Sequence, residues 1–198
     1  MAAVLCTGCE AVAGEARQLA VLGVGNRLRG DDAIGCIVCD ELIGESPNAK
    51  RRTSSEEPSP RYQRTEKPLA DSSLEIRQSP VPGLFVLDCG STPENYVQPI
   101  ADRNPARILV VDCCDFGGGP GEFGLFNRAE IDRLSYGLIS THTLPLTLTI
   151  EMLSLETKAA IELLGIQPQQ IEFNTDLSPA VRAALPGLVQ FIRNWARR

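Results

Sequence analysis

Two arrangements of apolar residues alternate along the chain: short unbroken runs, and positions spaced three and four apart. Residues 19–24 (LAVLGV), 84–87 (LFVL), 107–111 (RILVV) and 160–165 (AIELLG) are of the first kind. Such runs read as strands covered on both faces, the habit of parallel sheets. Residues 122–126, after the turn Gly117-Gly118-Gly119-Pro120, read as an edge strand. Helical stretches fall between these runs. Asp31 and Asp32 suit a helix N-terminus through capping and the helix dipole, and predict a helix to about Ile43, stopped by Gly44. Thr92-Pro93-Glu94 opens another, with proline in its first turn. Residues 129–134 form a short helix, and one from about Pro145 to Leu153 follows Ser140-Thr141-His142. Ser178 caps the last helical stretch, which Pro186-Gly187 should break before residues 188–196. Strands and helices in alternation predict an α/β fold, a three-layer α/β/α sandwich around a twisted, largely parallel sheet.

One stretch departs from both patterns. Residues 45–73 contain only Tyr62 and Leu69 as large apolar groups; Ser, Pro, Arg, Lys and Glu dominate the rest. A segment so poor in buriable surface cannot offset its ordering entropy, and it reads as a disordered insertion within a single domain spanning 1–198. Acidic residues (25) outnumber basic ones (19), so no basic face is on hand for nucleic acid or an anionic membrane. No apolar run approaches the roughly 20 residues of a membrane span. Residues 2–6 lack a basic leader and Glu10 and Glu15 follow soon after, so the expected address is the cytoplasm. Seven cysteines, an odd number, then read as reduced thiols rather than a disulfide framework. Two pairs, Cys6/Cys9 and Cys36/Cys39, have CxxC spacing. The second lies among Ile34, Ile37, Val38 and Leu42, where cysteine acts as a small hydrophobe, and this disfavours a shared zinc site.

Open α/β sheets bind ligands outside the carboxyl ends of their strands. Three polar groups fall there or close by: Asp32 beyond the first strand, Asp112 at the end of the third, and His142, the only histidine. Two carboxylates and one imidazole suit a divalent transition metal such as nickel or zinc, with positions left for water or substrate. Each residue also has a plainer role: a helix cap for Asp32, a strand-end turn for Asp112, a satisfied loop histidine for His142. Gly23-Val24-Gly25 echoes a dinucleotide fingerprint, but its third glycine position is Leu28, and no phosphate loop is present. No GxSxG elbow occurs either. Cys113 and Cys114 near His142 would make a Cys/His hydrolase conceivable, although space-filling at a strand end explains the pair better.

Five ordered motifs carry a resemblance. Gly23-Val24-Gly25-Asn26 through Gly30-Asp31-Asp32-Ala33-Ile34-Gly35 resembles the opening motif of the [NiFe]-hydrogenase maturation endopeptidases. Asp88-Cys89-Gly90-Ser91-Thr92-Pro93-Glu94-Asn95 is similar to that family's DxGTxPEN segment. Val111-Asp112-Cys113-Cys114-Asp115 with Pro120-Gly121-Glu122 is similar to its VDAxD…PGE segment. Ser140-Thr141-His142 with Leu144-Pro145-Leu146, and Leu164-Gly165-Ile166-Gln167-Pro168, are similar to its STH…PL and LGIQP segments. The resemblance covers residues 19–196 apart from the insertion and is strongest to the branch serving formate-hydrogenlyase-type enzymes. It implies an endopeptidase that removes a C-terminal peptide from a hydrogenase large-subunit precursor after nickel insertion. The nickel would come with the precursor and be contacted by Asp32, Asp112 and His142, in a monomeric enzyme. A metal acting as Lewis acid and an aspartate acting as general base are both compatible with these residues. Two other readings stay open: a zinc metallopeptidase for small peptides, and a maturation chaperone that senses metal without cutting. Cys89 and Cys113 stand where the family has small residues and read as packing substitutions.

Overall fold

The computed structural model describes residues 18–44, 76–134 and 146–198. The expected insertion at 45–73, Cys6, Cys9 and His142 lie outside the described residues. Six strands form one sheet: β1 (Leu19–Val24), β2 (Arg77–Gln78), β3 (Leu84–Gly90), β4 (Arg107–Cys113), β5 (Phe123–Asn127) and β6 (Ala160–Ile166). Their spatial order is β2-β3-β1-β4-β6-β5. The inner strands β3, β1, β4 and β6 run parallel, while β2 and β5 pair antiparallel at the two edges. The four apolar runs are these inner strands, each continuing to or slightly past its predicted end.

Period-two alternation sorts every inner strand between two cores. Val21, Val86, Leu109, Val111 and Leu164 enter one; Leu22, Phe85, Val110 and Leu163 enter the other. The first core is closed by α1 (Ile34–Ile43) and by a long C-terminal helix, through Ile34, Val38, Leu42, Val181, Leu188 and Trp195. The second is closed by α2 (Val97–Ala101), α3 (Arg128–Leu134) and α4 (Leu146–Glu156), through Val97, Ile100, Ile131, Ile150 and Leu153. The outcome is the three-layer α/β/α sandwich expected from the sequence.

The C-terminal helix differs from expectation. As α5 (Pro179–Trp195) it runs unbroken through Pro186, with Ser178 Oγ accepting from the Val181 N–H as the predicted cap. Val181 before the proline, and Leu188, Val189, Ile192 and Trp195 after it, are buried, whereas Pro186 and Gly187 are exposed. Burying a large apolar side chain contributes about 1.5–3 kcal/mol. Several such groups on both sides outweigh the roughly 3 kcal/mol cost of an interior proline. The Arg182 carbonyl that loses its partner lies on the exposed side of the helix.

The sheet changes winding direction between β1 and β4. β1 leads through α1, on one face, to β3 on its one side; β4, on the other side of β1, leads on to α4 on the opposite face and then β6. The carboxyl ends of β1 and β4 therefore flank a switch point, where open α/β sheets form their binding crevices.

Candidate active site at the ends of β1 and β4

Past Val24 the chain turns sharply. The Gly25 N–H donates to Gly90 O at the end of β3 (2.9 Å), Arg29 N–H donates to Asn26 O (3.0 Å), and Asp32 N–H donates to Arg29 O (3.1 Å). A 3-10 turn, Gly30–Ala33, then feeds α1. Gly35 lets that helix start sit flush on the sheet, because a Cβ there would come within 2.5 Å of Val111 O in β4. The close approach brings Asp32 to the switch point. At 1% exposure its Oδ2 accepts the Asn26 N–H at 3.2 Å. Asp112 occupies the neighbouring strand end, in a register where Gly23 of β1 lies opposite Val111 of β4. It is 2% exposed, and its Oδ1 accepts the Cys113 N–H at 2.8 Å.

Both carboxylates act on the Cys113 thiol. Burial first, and then the charges of Asp112, Asp32 and Asp31, push the Cys113 thiol far above its ordinary value. Cys114 is pushed up to about 12 by burial and by Asp112 and Asp115. Both thiols are buried and disfavour the thiolate, the reactive form, which accords with their reading as space-filling groups. Cys36, Cys39 and Cys89 are raised as well, burial being the largest cause. Cys36 and Cys39 lie inside α1 as core groups, and Cys89 and Cys113 fill space at strand ends, as read from the sequence.

The acidic pair at 31–32 stands in the first turn of the 3-10 helix, as expected, and Asp31 also reaches across to a second loop. Asp31, fully buried, accepts three backbone N–H groups from the β6–α5 loop: Gln169 at 2.8 Å, Gln170 at 3.0 Å and Ser178 at 2.7 Å. Gly30 and Asp31 in turn donate their own N–H groups to Thr175 O and Gln170 O. Two loops distant in sequence are thereby locked together beside Asp32.

Two further networks, not foreseen from sequence, brace the site. Arg27 forks onto Asp40 (2.7 and 3.1 Å) and also holds Asp88 at 2.6 Å, tying the β1 loop to α1 and β3. Burial would raise the Asp88 carboxyl, but the Arg27 and Cys36 hydrogen bonds and the Arg27 charge outweigh it and hold the group below its ordinary value. Gln167 accepts the Phe116 and Gly118 N–H groups at 3.0 and 3.1 Å and donates to Asp115 at 3.0 Å, which shapes the loop following Asp112. Among the described residues no three His, Cys, Asp or Glu side chains form a metal-holding group. The expected third member, His142, belongs to the stretch outside them, four residues before α4 begins.

A doubly wound α/β protein with buried carboxylates on the elements beside its switch point is the class that fold and site define. Residues 71–195, more than half of the chain, match the family model described as HycI, hydrogenase maturation protease. The hydrogenase 3 maturation protease of Escherichia coli K12 is 32% identical over 110 residues, covering 56% of this chain and 69% of that protein. The crystal structure of a [NiFe] hydrogenase maturation protease from Thermococcus kodakarensis superposes with a TM-score of 0.65 at 26% identity, covering 92% of this chain and 94% of that one. A crystal structure of a hydrogenase 3 maturation protease gives 0.64 at 25% identity, with 91% and 92% covered. The chain belongs to the hydrogenase maturation proteases: it is an endopeptidase that processes the C-terminus of a hydrogenase large-subunit precursor. No helix among the described residues is long and apolar enough to cross a membrane.

Proposed function

We propose that the enzyme cuts the precursor only in its nickel-loaded state, and that Asp32, Asp112 and His142 read that nickel. The reading rests on one observation: two buried carboxylates stand on adjoining elements beside the switch point, each accepting a backbone N–H. Neighbouring carboxylates repel in a low-dielectric setting, and a divalent cation shared between them turns repulsion into attraction. Anionic oxygens with one neutral imidazole nitrogen form a donor set that fits nickel. The ion is part of the substrate, and when held there it supplies Lewis acidity toward a carbonyl or water. Asn26 and Cys113 contribute by orienting the two carboxylates through their N–H groups. A carboxylate that is not engaged with the metal remains able to take a proton as general base, the chemistry of an aspartyl protease. The proposed setting is the cytoplasm, with a monomeric enzyme.

The deciding experiment is intact-mass measurement of the cognate precursor incubated with this protein, with and without nickel loading. Loss of a C-terminal peptide only from the loaded precursor is expected. Loss from both would replace substrate nickel by a resident metal or a metal-free mechanism. A stable complex with no loss in either would favour the chaperone reading.

A further inference from the structure

Most of the apolar surface of the described residues is hidden, and four large apolar side chains are well exposed: Leu28, Leu148, Leu155 and Phe173. Two of them, Leu28 (62%) and Phe173 (63%), sit on the locked pair of loops that flanks Asp32. Neither hangs from a loose backbone. Leu28 donates its N–H to Asn26 Oδ1 at 3.0 Å, and its carbonyl accepts the Asn174 N–H at 2.8 Å, which joins the two loops at that point. Asn26 is also the residue whose N–H holds Asp32, so Leu28 stands one residue's reach from the site. The Phe173 ring is covered on one side by the Arg29 guanidinium, 4.8 Å from its centroid, and Arg29 is itself anchored by a 3.3 Å hydrogen bond to Ile171 O.

An exposed aromatic ring pinned by a cation, beside an exposed leucine pinned at both backbone groups, is a surface organised before its partner arrives. Rigid apolar anchors lose little entropy on binding, and they dominate the energy of protein interfaces. The loops that carry these two side chains adjoin the 3-10 turn holding Asp32, where the scissile bond is proposed to come. We propose that Leu28 and Phe173 are the docking anchors for the precursor. They take an apolar side chain of the extended segment flanking the bond to be cut, and Arg29 acts as a positioning residue that fixes the Phe173 ring. This rests on the placement of the active site at Asp32 and Asp112.

Steady-state cleavage of the nickel-loaded precursor by L28S, F173S and the double variant tests the assignment. Each single change is expected to raise KM about tenfold and the pair about a hundredfold, with kcat at saturation within twofold of wild type. The conservative changes L28M and F173Y should restore KM. Leu155→Ser, exposed to 79% at the far end of α4, should leave both constants unchanged. An unchanged KM in the double variant, or a loss carried wholly by kcat, overturns the assignment. Should wild type itself fail to cut, the nickel-reading proposal falls separately. Docking is then read from equilibrium binding of uncut precursor to wild type and the double variant: loss of affinity supports the anchors, and equal affinity overturns them.

Discussion

The two ends of the sheet treat buried charge in opposite ways. At the amino end, Arg107 opens β4 and meets Glu162 of β6 at 3.0 Å, while Trp195, the last residue of α5, donates its indole N–H to the same carboxylate at 2.7 Å. The Arg107 guanidinium lies 4.1 Å from the Trp195 ring centroid and also donates to the Trp195 carbonyl. Cation, anion and aromatic ring close on one another, and the cluster pins α5 to the sheet. At the carboxyl end, Asp31, Asp32 and Asp112 each accept backbone N–H groups. One end pairs a cation with an anion beside an aromatic ring; the other sets its buried aspartates against backbone amides.

The sharpest way to break this comparison is to remove charge from the carboxyl end. Asp32→Asn and Asp112→Asn should each reduce precursor cleavage by about a hundredfold or more while the fold is kept, the scale expected for losing a group that acts in the reaction. Intact mass of the precursor together with far-UV circular dichroism of the variants reads both halves of the outcome. Near-normal cleavage in both variants would mean that the carboxyl-end charge is structural.

Asp31 should behave differently from its neighbour. Its carboxylate serves three amides of the β6–α5 loop. Asp31→Ala leaves them without an acceptor, at a cost of about 3 kcal/mol, or roughly 8 °C in Tm for a domain of this size. Thermal unfolding measures it. A Tm within a degree or two of wild type would show that the loops hold together without Asp31.

These two aspartates mark how far the sequence could be read. The inner strands were legible because a strand buried on both faces must be an unbroken apolar run, and its length alone separates it from a helix. The placement of Asp32 and Asp112 beside neighbouring strand ends was legible from the strand pattern alone. The role of Asp31 was not, since its partners lie 138 to 147 residues away. The Arg27–Asp88 pair spans 61 residues and hides for the same reason. Pro186 misled because a local breaker was weighed without the apolar face that continues past it. Local propensity yields to packing wherever burial on both sides is large, and no short window along the chain displays that sum.

A smaller effect is expected at the amino end. Trp195→Phe keeps a ring near Arg107 but removes the indole hydrogen bond to Glu162 and part of a fully buried side chain, for a loss of about 2 kcal/mol. Urea unfolding should report that loss with precursor cleavage unchanged, because nothing in this cluster reaches the switch point. A cleavage defect larger than the stability change would couple the two ends and erase the contrast between them.

The finest test lies at Asp88, near the carboxyl end of β3, which meets the Arg27 guanidinium. Arg27 holds Asp88 below its ordinary value against the opposing effect of burial. A carboxyl lowered by folding contributes stability that is fully present above its unfolded value, near 4, and is lost as pH falls through the lower folded value. Asp88→Asn keeps the shape and removes the titration. The pair is partly exposed, so the variant should be less stable at pH 7 by under about 1 kcal/mol. That difference should shrink once pH drops below the usual carboxylate range and vanish where the wild-type Asp88 is itself protonated. Urea midpoints for both proteins between pH 7 and pH 2 trace it. A deficit that stays constant with pH would assign the effect to shape and not to charge.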